Sequence, residues 1–387
     1  MMKVVSLFSG IGGIELGLAN HGFEATFFCE IDPIARAILH KNFPEAQVTP
    51  DITNLTKLPV AEVVTAGFPC QDLSQAGGKR GIEGAKSGLV AKLFDLIAEK
   101  PPRSRPKWLV IENVPYMLRL DRGRAMDFVT SELARLGYAW AYRVVDARCF
   151  GLPQRRPRVV LLASRVSHPE DILFADNFTP PDLDGKPSHI EGAEAFGFYW
   201  TEGSRGVGWA REGVPPIKCG STLGIASPPA VWVPAKDFVG TIDLRDAERL
   251  QGFPEDWTDF SSLGVQAKTS LRWRLVGNAV STRVSDWLGS RLTSNEVSVC
   301  EKRPLDRSKA WPNAACGHGD QTFEVTATKW ASRSKQRKLS EFLKHELAPL
   351  SRRATEGFLK RAGVCTNVVY SHEFLASLRR HAVSTSL

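Results

Sequence analysis

Within the first 30 residues a short apolar strand, a glycine-rich turn, a helix, a second strand and an acid follow one another, and that order leaves few folds open. Residues 3–8 (Lys-Val-Val-Ser-Leu-Phe) read as extended, Ser9-Gly10-Ile11-Gly12-Gly13 as the turn, and Ile14 to Ala19 as the opening of a helix that ends near Gly22. Residues 25–29 form the next strand, closed by Glu30. Glycines let the backbone approach a ligand, and an acid about 20 residues further on takes ribose hydroxyls. Tight packing alone would also explain the glycines. The full order favours an α/β fold with a pocket for an adenosine-containing cofactor, without saying which. Residues 33–41 read as a helix with Pro33 in its first turn. Asp51-Ile52 follows another short extended segment, where an acid either contacts an adenine amino group or caps the next element.

The reactive chemistry lies further along. Residues 63–66 (Val-Val-Thr-Ala) read as a strand leading into Gly67-Phe-Pro-Cys70-Gln71, with Ser74 shortly after. Pro69 stops regular structure and fixes the backbone before the thiol. A glycine-rich stretch, 77–88, follows. Most single cysteines are small buried hydrophobes, but these flanks do not suit a packed core. A strand end opening into a loop is where α/β enzymes place chemistry.

Residues 108–114 read as a buried strand ending in Glu112 and Asn113. A carboxylate there is costly to bury unless it is bonded or used; pairing with an arginine is the bland alternative. Gln154-Arg-Arg-Pro-Arg158 precedes the strand 159–163. Its arginines suit a solvated rim, or a grip on a phosphate or base carbonyl. At neighbouring strand ends, Cys70, Glu112 and Arg158 bring a thiol nucleophile, a carboxylic acid and an arginine to one substrate. A cysteine hydrolase needs a base, usually His, and none lies near these elements. A nicotinamide enzyme would explain only the first 30 residues.

The alternation of strands and helices dissolves between about 165 and 243, a stretch too long for one loop. It reads as a small inserted domain of turns and short strands. Trp200, Trp209 and Trp232, with Arg205, Arg211 and Lys218 interleaved, suit groove contacts or a small irregular core equally. Residues 297–338 read as a linker or loosely folded segment, and 340–380 regain helical periods. The chain carries a net charge of +8, and residues 297–387 alone hold 16 Lys or Arg against 8 Asp or Glu. The basic surplus, a hint of a polyanion partner, therefore belongs to the tail. That tail reads as a clamp on such a partner, a dimer arm or a solvated appendage. Seven scattered cysteines without a Cys-x-x-Cys pair argue for a reducing, cytoplasmic compartment and against a zinc site. No apolar run approaches the roughly 18 residues of a membrane span, and the first residues do not read as a signal peptide.

Taken in order, these motifs resemble the DNA (cytosine-5)-methyltransferases over about residues 3–292. Leu7 to Gly13 looks like the first cofactor motif, with Phe8, Gly10, Ile11, Gly12 and Gly13 as cofactor contacts. Glu30-Ile31 resembles the ribose-binding pair and Asp51-Ile52 the adenine contact. Gly67 to Gln71 resembles the catalytic motif, with Pro69 also beside the cofactor, and Leu89 the methionine-side contact. Glu112-Asn-Val114, the arginine motif through Arg156 and Arg158, and Arg249-Leu-Gln-Gly-Phe-Pro254 follow. Gly277-Asn278-Ala-Val280 resembles the last motif, which returns Asn278 and Val280 to the cofactor pocket. Ser221-Thr222-Leu223 is similar to the Thr-Leu element of the target-recognition domain. Two features depart from the pattern: no aromatic follows Glu30, and a long basic extension follows the last motif.

The resemblance implies a Rossmann-like, mixed and mostly parallel sheet with helices on both faces at 1–165. It also implies a small, mainly β target-recognition domain at 166–258, a return to the catalytic domain at 259–296, and a partly helical basic extension at 297–387. It implies S-adenosylmethionine as methyl donor, no metal, and methylation at C5 of a flipped-out cytosine in double-stranded DNA, in association with the nucleoid. Cys70 would attack C6, a protonated Glu112 would bond N3, Arg158 would hold O2, and Arg156 would brace the loop. Gln71, Ser74, Thr222 and Leu223 would contact DNA. The Cys70 loop, hinged by Gly77, Gly78 and Gly81, would act as a lid. The setting is restriction–modification with a cognate endonuclease, or a solitary enzyme. A tRNA cytosine-5 methyltransferase on the same scaffold and a catalytically silent DNA-binding homologue are the alternatives.

Overall fold

The apolar runs of the first third fold as strands. They are β1 (Met2–Leu7), β2 (Phe23–Cys29), β3 (Gln47–Thr49), β4 (Val63–Ala66) and β5 (Trp108–Asn113), and they pair in parallel in the order β3-β2-β1-β4-β5. A computed structural model describes residues 1–69, 88–182, 186–188, 190, 192–203, 206–220, 226–263, 268–294 and 300–385. The strand order reverses between β1 and β4, and ligands of such sheets gather outside the strand ends at that point. β6 (Ala139–Asp146) and β7 (Pro157–Ser164) complete the enzyme-like sheet, with β7 antiparallel to both β5 and β6.

Every residue of β4 and β6 is buried, as expected where both faces of a sheet are covered. One face carries Leu7, Val64, Ala66, Leu109 and Ile111, packed against Phe94 and Ile97 of the helix Leu89–Ala98 and Met126 and Leu133 of the helix Arg124–Arg135. The other face holds the helix Gly13–Ala19, whose Glu15 is bonded to Thr65 of β4. The helix Thr282–Leu292 presses on it so closely that a Cβ at Gly17 would lie 2.4 Å from the Thr282 carbonyl oxygen. Alanine there would force the two helices apart.

The chain forms two compact units, Met1–Cys149 with Pro157–Thr179 and Val280–Arg333, and Phe150–Arg156 with Pro180–Ala279 and Ser334–Leu387. This division corrects the expectation for the tail. Residues 302–325, taken for linker, form β12 (Lys302–Pro304), β13 (Ala314–His318) and β14 (Gln321–Val325), which extend the first sheet in the order β12-β14-β13-β6. A buried guanidinium fixes the chain beyond them. Arg143 of β6 donates to the carbonyl oxygens of Thr328 (2.9 Å), Trp330 (3.2 Å) and Leu173 (3.0 Å) and to Asn177 Oδ1 (3.2 Å). β12 is exposed, β14 is mostly exposed or half-buried, and the buried β13 reads Ala-Ala-Cys-Gly-His, so the sequence of these short strands carries little apolar alternation.

The second unit is built on an antiparallel sheet, β15-β11-β10-β8-β9. Its strands are β8 (Phe196–Phe198), β9 (Ala210–Arg211), β10 (Ala230–Val233), β11 (Phe238–Thr241) and β15 (Ala348–Pro349). The tail helices Arg352–Gly363 and His372–Ser384 supply Phe358, Phe374 and Leu378 to its core. The Phe374 ring centroid lies 5.0 Å from Trp232, 5.1 Å from Trp209 and 5.3 Å from Phe198. Trp232 Nε1 donates to Ser377 Oγ at 2.8 Å. Trp209 and Trp232 are thus core residues, and Trp200 is half-buried with its Nε1 bonded to the Pro228 carbonyl at 3.0 Å. The return to the first unit, expected at 259, begins at Val280. The helix Thr269–Asn278 stays with the second unit because Gln251 Nε2 donates to the Val276 carbonyl at 2.8 Å, and a Cβ on Gly277 would sit 2.4 Å from the Cys219 nitrogen.

No helix among the described residues is long and apolar enough to cross a membrane. Phe374→Ala should destabilise the second unit by about 3–5 kcal/mol, the cost of an aromatic cavity, measured as a lower urea midpoint of tryptophan fluorescence. Deleting 334–387 should abolish that transition. A truncated chain with the wild-type transition would reject the packing.

Candidate active site

The antiparallel register of β5 on β7 sets Glu112 opposite Val160 and brings the start of β7 to the end of β5. Arg158 Nε meets Glu112 Oε1 there at 3.0 Å, with each side chain about one-eighth exposed (12%). Removing one partner from so poorly solvated a pair costs about 3–5 kcal/mol. The neighbouring residue ties in the next strand. Asn113 Nδ2 donates to the Phe68 carbonyl oxygen at 3.0 Å, and Asn113 Oδ1 accepts from Val114 N at 2.9 Å. Gly67-Phe68-Pro69 is thereby held against the end of β5. Phe68 is buried, edge-on to Phe8 at 6.2 Å, and Pro69 is exposed. Cys70, Gln71, Ser74 and the glycines of the expected lid lie outside the described residues, as do Thr222 and Leu223.

The nucleotide side is built from backbone donors. Glu30 Oε2 accepts from Gly10 N at 2.7 Å and Oε1 from Asp32 N at 2.8 Å. Burial pushes the Glu30 carboxyl above the ordinary range, and these two N–H groups oppose the shift. A carboxylate has about four lone-pair sites, so two are left for hydroxyls. Gly10 has φ +54°, and a Cβ there would meet nothing within 4 Å, so the turn is open on the ligand side. Phe8 beside it also has φ +55°, a conformation that costs a non-glycine residue about 1–2 kcal/mol. Gly12 and Gly13 are buried under the turn with Ile11. Ile31 is 71% exposed at the strand end, an apolar surface suited to a flat ring. Asp51 does cap: its Oδ1 accepts from Thr53 N at 2.8 Å, over the buried Ile52. Leu89, half-buried, opens its helix, and Val280 Cγ2 would lie 4.0 Å from a Cβ on Gly67. This set fits an adenosine-bearing cofactor: a two-site acid for the ribose, an exposed apolar face for the base, and a turn with room for a chain to pass. Among the described residues no cluster of three or more His, Cys, Asp or Glu could hold a metal ion.

Arg156 and Asn278 belong to the second unit. Arg156 is buried and donates to the carbonyl oxygens of Ile217 (3.2 Å), Gly277 (3.1 Å) and Ala279 (2.8 Å), the contacts of a brace. Asn278 is exposed at the end of its helix. Two residues were given no role of their own in the sequence reading. Gln154, fully buried, donates to the Leu250 carbonyl at 2.8 Å and accepts from Ile217 N at 3.1 Å. Glu15 is buried in the helix after the glycine turn, and its Oε1 accepts from Thr65 Oγ1 at 2.5 Å. An acid between Ile14 and Leu16 in an otherwise apolar turn was the available signal.

A mixed, mostly parallel sheet with its glycine turn, the acid bonded to that turn and an acid–arginine pair at one edge has the architecture of a nucleotide-cofactor α/β enzyme. The comparisons narrow the class. Residues 2–192 match the family model described as C-5 cytosine-specific DNA methylase. A relative in Bacillus subtilis (strain 168), described as Type II methyltransferase M2.BsuMI, is 60% identical over 380 residues, covering 98% of each chain. Type II methyltransferase M.DsaV of Dactylococcopsis salina is 26% identical over 314 residues, 76% of this chain and 86% of that one. The chain belongs to the C-5 cytosine-specific DNA methylases, and it is a DNA (cytosine-5)-methyltransferase. Among solved structures, S. pombe Dnmt2 methyltransferase has a TM-score of 0.56 at 18% identity, covering 76% of this chain and 98% of that one, a likeness of fold. Family membership implies S-adenosylmethionine as donor.

Burial, opposed by the Thr65 hydrogen bond, pushes the Glu15 carboxyl above the ordinary range. A raised folded-state pKa adds stability that is full below the unfolded value and lost as pH rises through the folded one. The melting temperature of Glu15→Gln should therefore gain on wild type between acid and neutral pH. A difference that stays flat with pH would contradict the assignment.

Proposed function

We propose that the chain methylates C5 of a flipped-out cytosine in one specific double-stranded DNA sequence, through covalent attack of Cys70 on C6. We place it in a Type II restriction–modification setting like that named for its Bacillus subtilis relative. The observation that carries this reading is the Glu112–Arg158 pair at the end of β5, next to the anchored Phe68-Pro69 step from which Cys70 follows.

Cytosine C5 is too weak a nucleophile to accept a methyl group unaided. The Cys70 thiolate forms a bond to C6, and the electrons of the C5–C6 double bond shift so that C5 becomes the carbon of an enamine. Glu112, carrying a proton, donates to N3, where charge builds. A base closing over Glu112 removes water, and a guanidinium drawn from the carboxylate to O2 no longer holds it charged, so both changes favour that neutral form. Arg158 turns its guanidinium to O2, and Arg156 keeps the loop before it in place. S-adenosylmethionine, when bound, supplies an electrophilic methyl carbon for C5. Glu30 and Asp51 would hold its adenosine, with Phe8, Ile31, Ile52, Leu89 and Val280 around it. Loss of the C5 proton returns electrons to the ring and expels Cys70 as thiolate. Reaching the base requires its removal from the duplex, at a cost of about a few kcal/mol. Gln71, Ser74, Thr222 and Leu223 are the proposed contacts to the opened DNA.

Bisulfite sequencing of DNA from cells expressing the chain checks the reading. Methylcytosine should be confined to one short sequence and absent with Cys70→Ser. Glu112→Gln should slow methylation by about 10²-fold or more, the usual range for a lost general acid. Methylation persisting in Cys70→Ser would sink the covalent route, and tRNA methylated in preference to DNA would overturn the substrate.

A further inference from the structure

Beyond Glu112 the chain makes a feature that the proposed mechanism does not use. Pro115–Leu118 forms a single 3-10 turn, and Leu120–Gly123 a second before the helix Arg124–Arg135. Met117, Leu118 and Leu120 point into the core of the first unit, so the segment is anchored. Its other side chains face water: Tyr116 is 62% exposed, and Arg119 and Arg122 are exposed. Neither arginine makes an ion pair or a side-chain hydrogen bond among the described residues, whereas Arg124 next door is paired with Asp121 at 2.6 Å.

The backbone here is strained. Asp121 (φ 51°, ψ 43°) and Arg122 (φ 59°, ψ 31°) are consecutive non-glycine residues in the left-handed region, followed by Gly123 at φ 91°. Such conformations persist only where the surroundings over-determine them. The brace comes from the segment that follows the last motif: a Cβ on Gly123 would lie 2.7 Å from Cδ1 of Trp311, a buried residue packed at a tilt against Trp140 and Tyr142. Arg307 reaches over that indole, 5.9 Å from its centroid. A strained knuckle pinned by a tryptophan thus holds two unpaired guanidinium groups and an exposed phenol a few residues past the strand end that carries Glu112.

We propose that this ledge binds the sugar–phosphate backbone of the DNA beside the target cytosine, with Arg119 and Arg122 on phosphates and Tyr116 against a deoxyribose. The inference rests on the DNA-methylating reading above and names a contact for it. Unpaired guanidinium groups match phosphate in charge and fork geometry. Such contacts carry no sequence information and set register. The basic excess at this site is local, since the first 296 residues are neutral overall (34 basic against 34 acidic).

The test is the salt dependence of binding to a mixed-sequence duplex, measured by fluorescence anisotropy for the full chain, with S-adenosylmethionine binding followed by calorimetry. Each lost phosphate contact lowers the slope of log K against log salt by about 0.9. The Arg119→Gln/Arg122→Gln chain should lose between about one and two units of slope, with cofactor affinity retained. Arg119→Lys/Arg122→Lys should restore the slope, and Tyr116→Ala should weaken binding equally at every salt concentration. A wild-type slope in the Gln pair, or an equal loss in the Lys pair, overturns the proposal while leaving the methyltransferase reading intact. A wild-type chain that binds no duplex at all sinks both.

Discussion

The site depends on one register: β5 and β7 run antiparallel, so a carboxylate at the end of one strand meets an arginine at the start of the other. Had β7 joined in parallel, Arg158 would lie at the far edge of the sheet from Glu112. The same edge collects the ends of β1 and β4, because the strand order reverses between them. Asn113 makes the coupling rigid by bonding the carbonyl of Phe68, just beyond the end of the neighbouring β4. The Phe68-Pro69 step, after which Cys70 follows in sequence, is therefore held at a fixed point. The acid and the arginine are nearly desolvated, which strengthens their pairing and also makes each sensitive to anything that enters between them.

Buried polar groups perform similar service elsewhere. Arg143 gathers the chain after β14, Gln154 and Arg156 gather the second unit around 217 and 277–279, and Asp246 takes the backbone N–H groups of Lys344 and His345. Each satisfies main-chain groups that have no ladder partner. An apolar residue in the same place would leave several buried carbonyls or amides unbonded, at about 1–3 kcal/mol apiece. These residues explain how irregular segments with little secondary structure can pack firmly.

What was legible in the sequence was local. The glycine turn and Glu30, the Pro69-Cys70 step and the strand ending at Glu112 are each fixed by a few adjacent residues whose backbone preferences agree. In the structure Glu30 accepts from Gly10 N, and Glu112 makes the arginine pairing that was the bland alternative, while Cys70 lies outside the described residues. What was illegible was non-local. Nothing in residues 302–325 announces three added strands, since β12 is wholly exposed and β14 only partly buried. Phe358, Phe374 and Leu378 show helical periodicity, but periodicity does not say which sheet they cover. The tryptophans of the second unit were ambiguous for the same reason, as an indole in a groove and one in a core have the same neighbours in sequence.

The fate of the tail changes how its charge should be read. A surplus of +8 in 91 residues suggests a clamp or an appendage while the segment is thought of as an addition. Once 334–387 supplies Phe358 and Phe374 to the aromatic core of the second unit and 300–333 extends the sheet of the first, removal of the tail tests folding before it tests charge. Many of its basic groups are also spent locally: Arg361 on the carbonyls of Trp200 and Glu202, Arg380 on Asp237, Lys344 on Glu255. Unpaired positive charge next to the acid–arginine edge lies instead within the neutral body of the chain, at Arg119 and Arg122, and the tail's part there is to hold their backbone through Trp311. Net charge thus locates the basic residues in sequence, while local pairing decides which of them remain available to a phosphate.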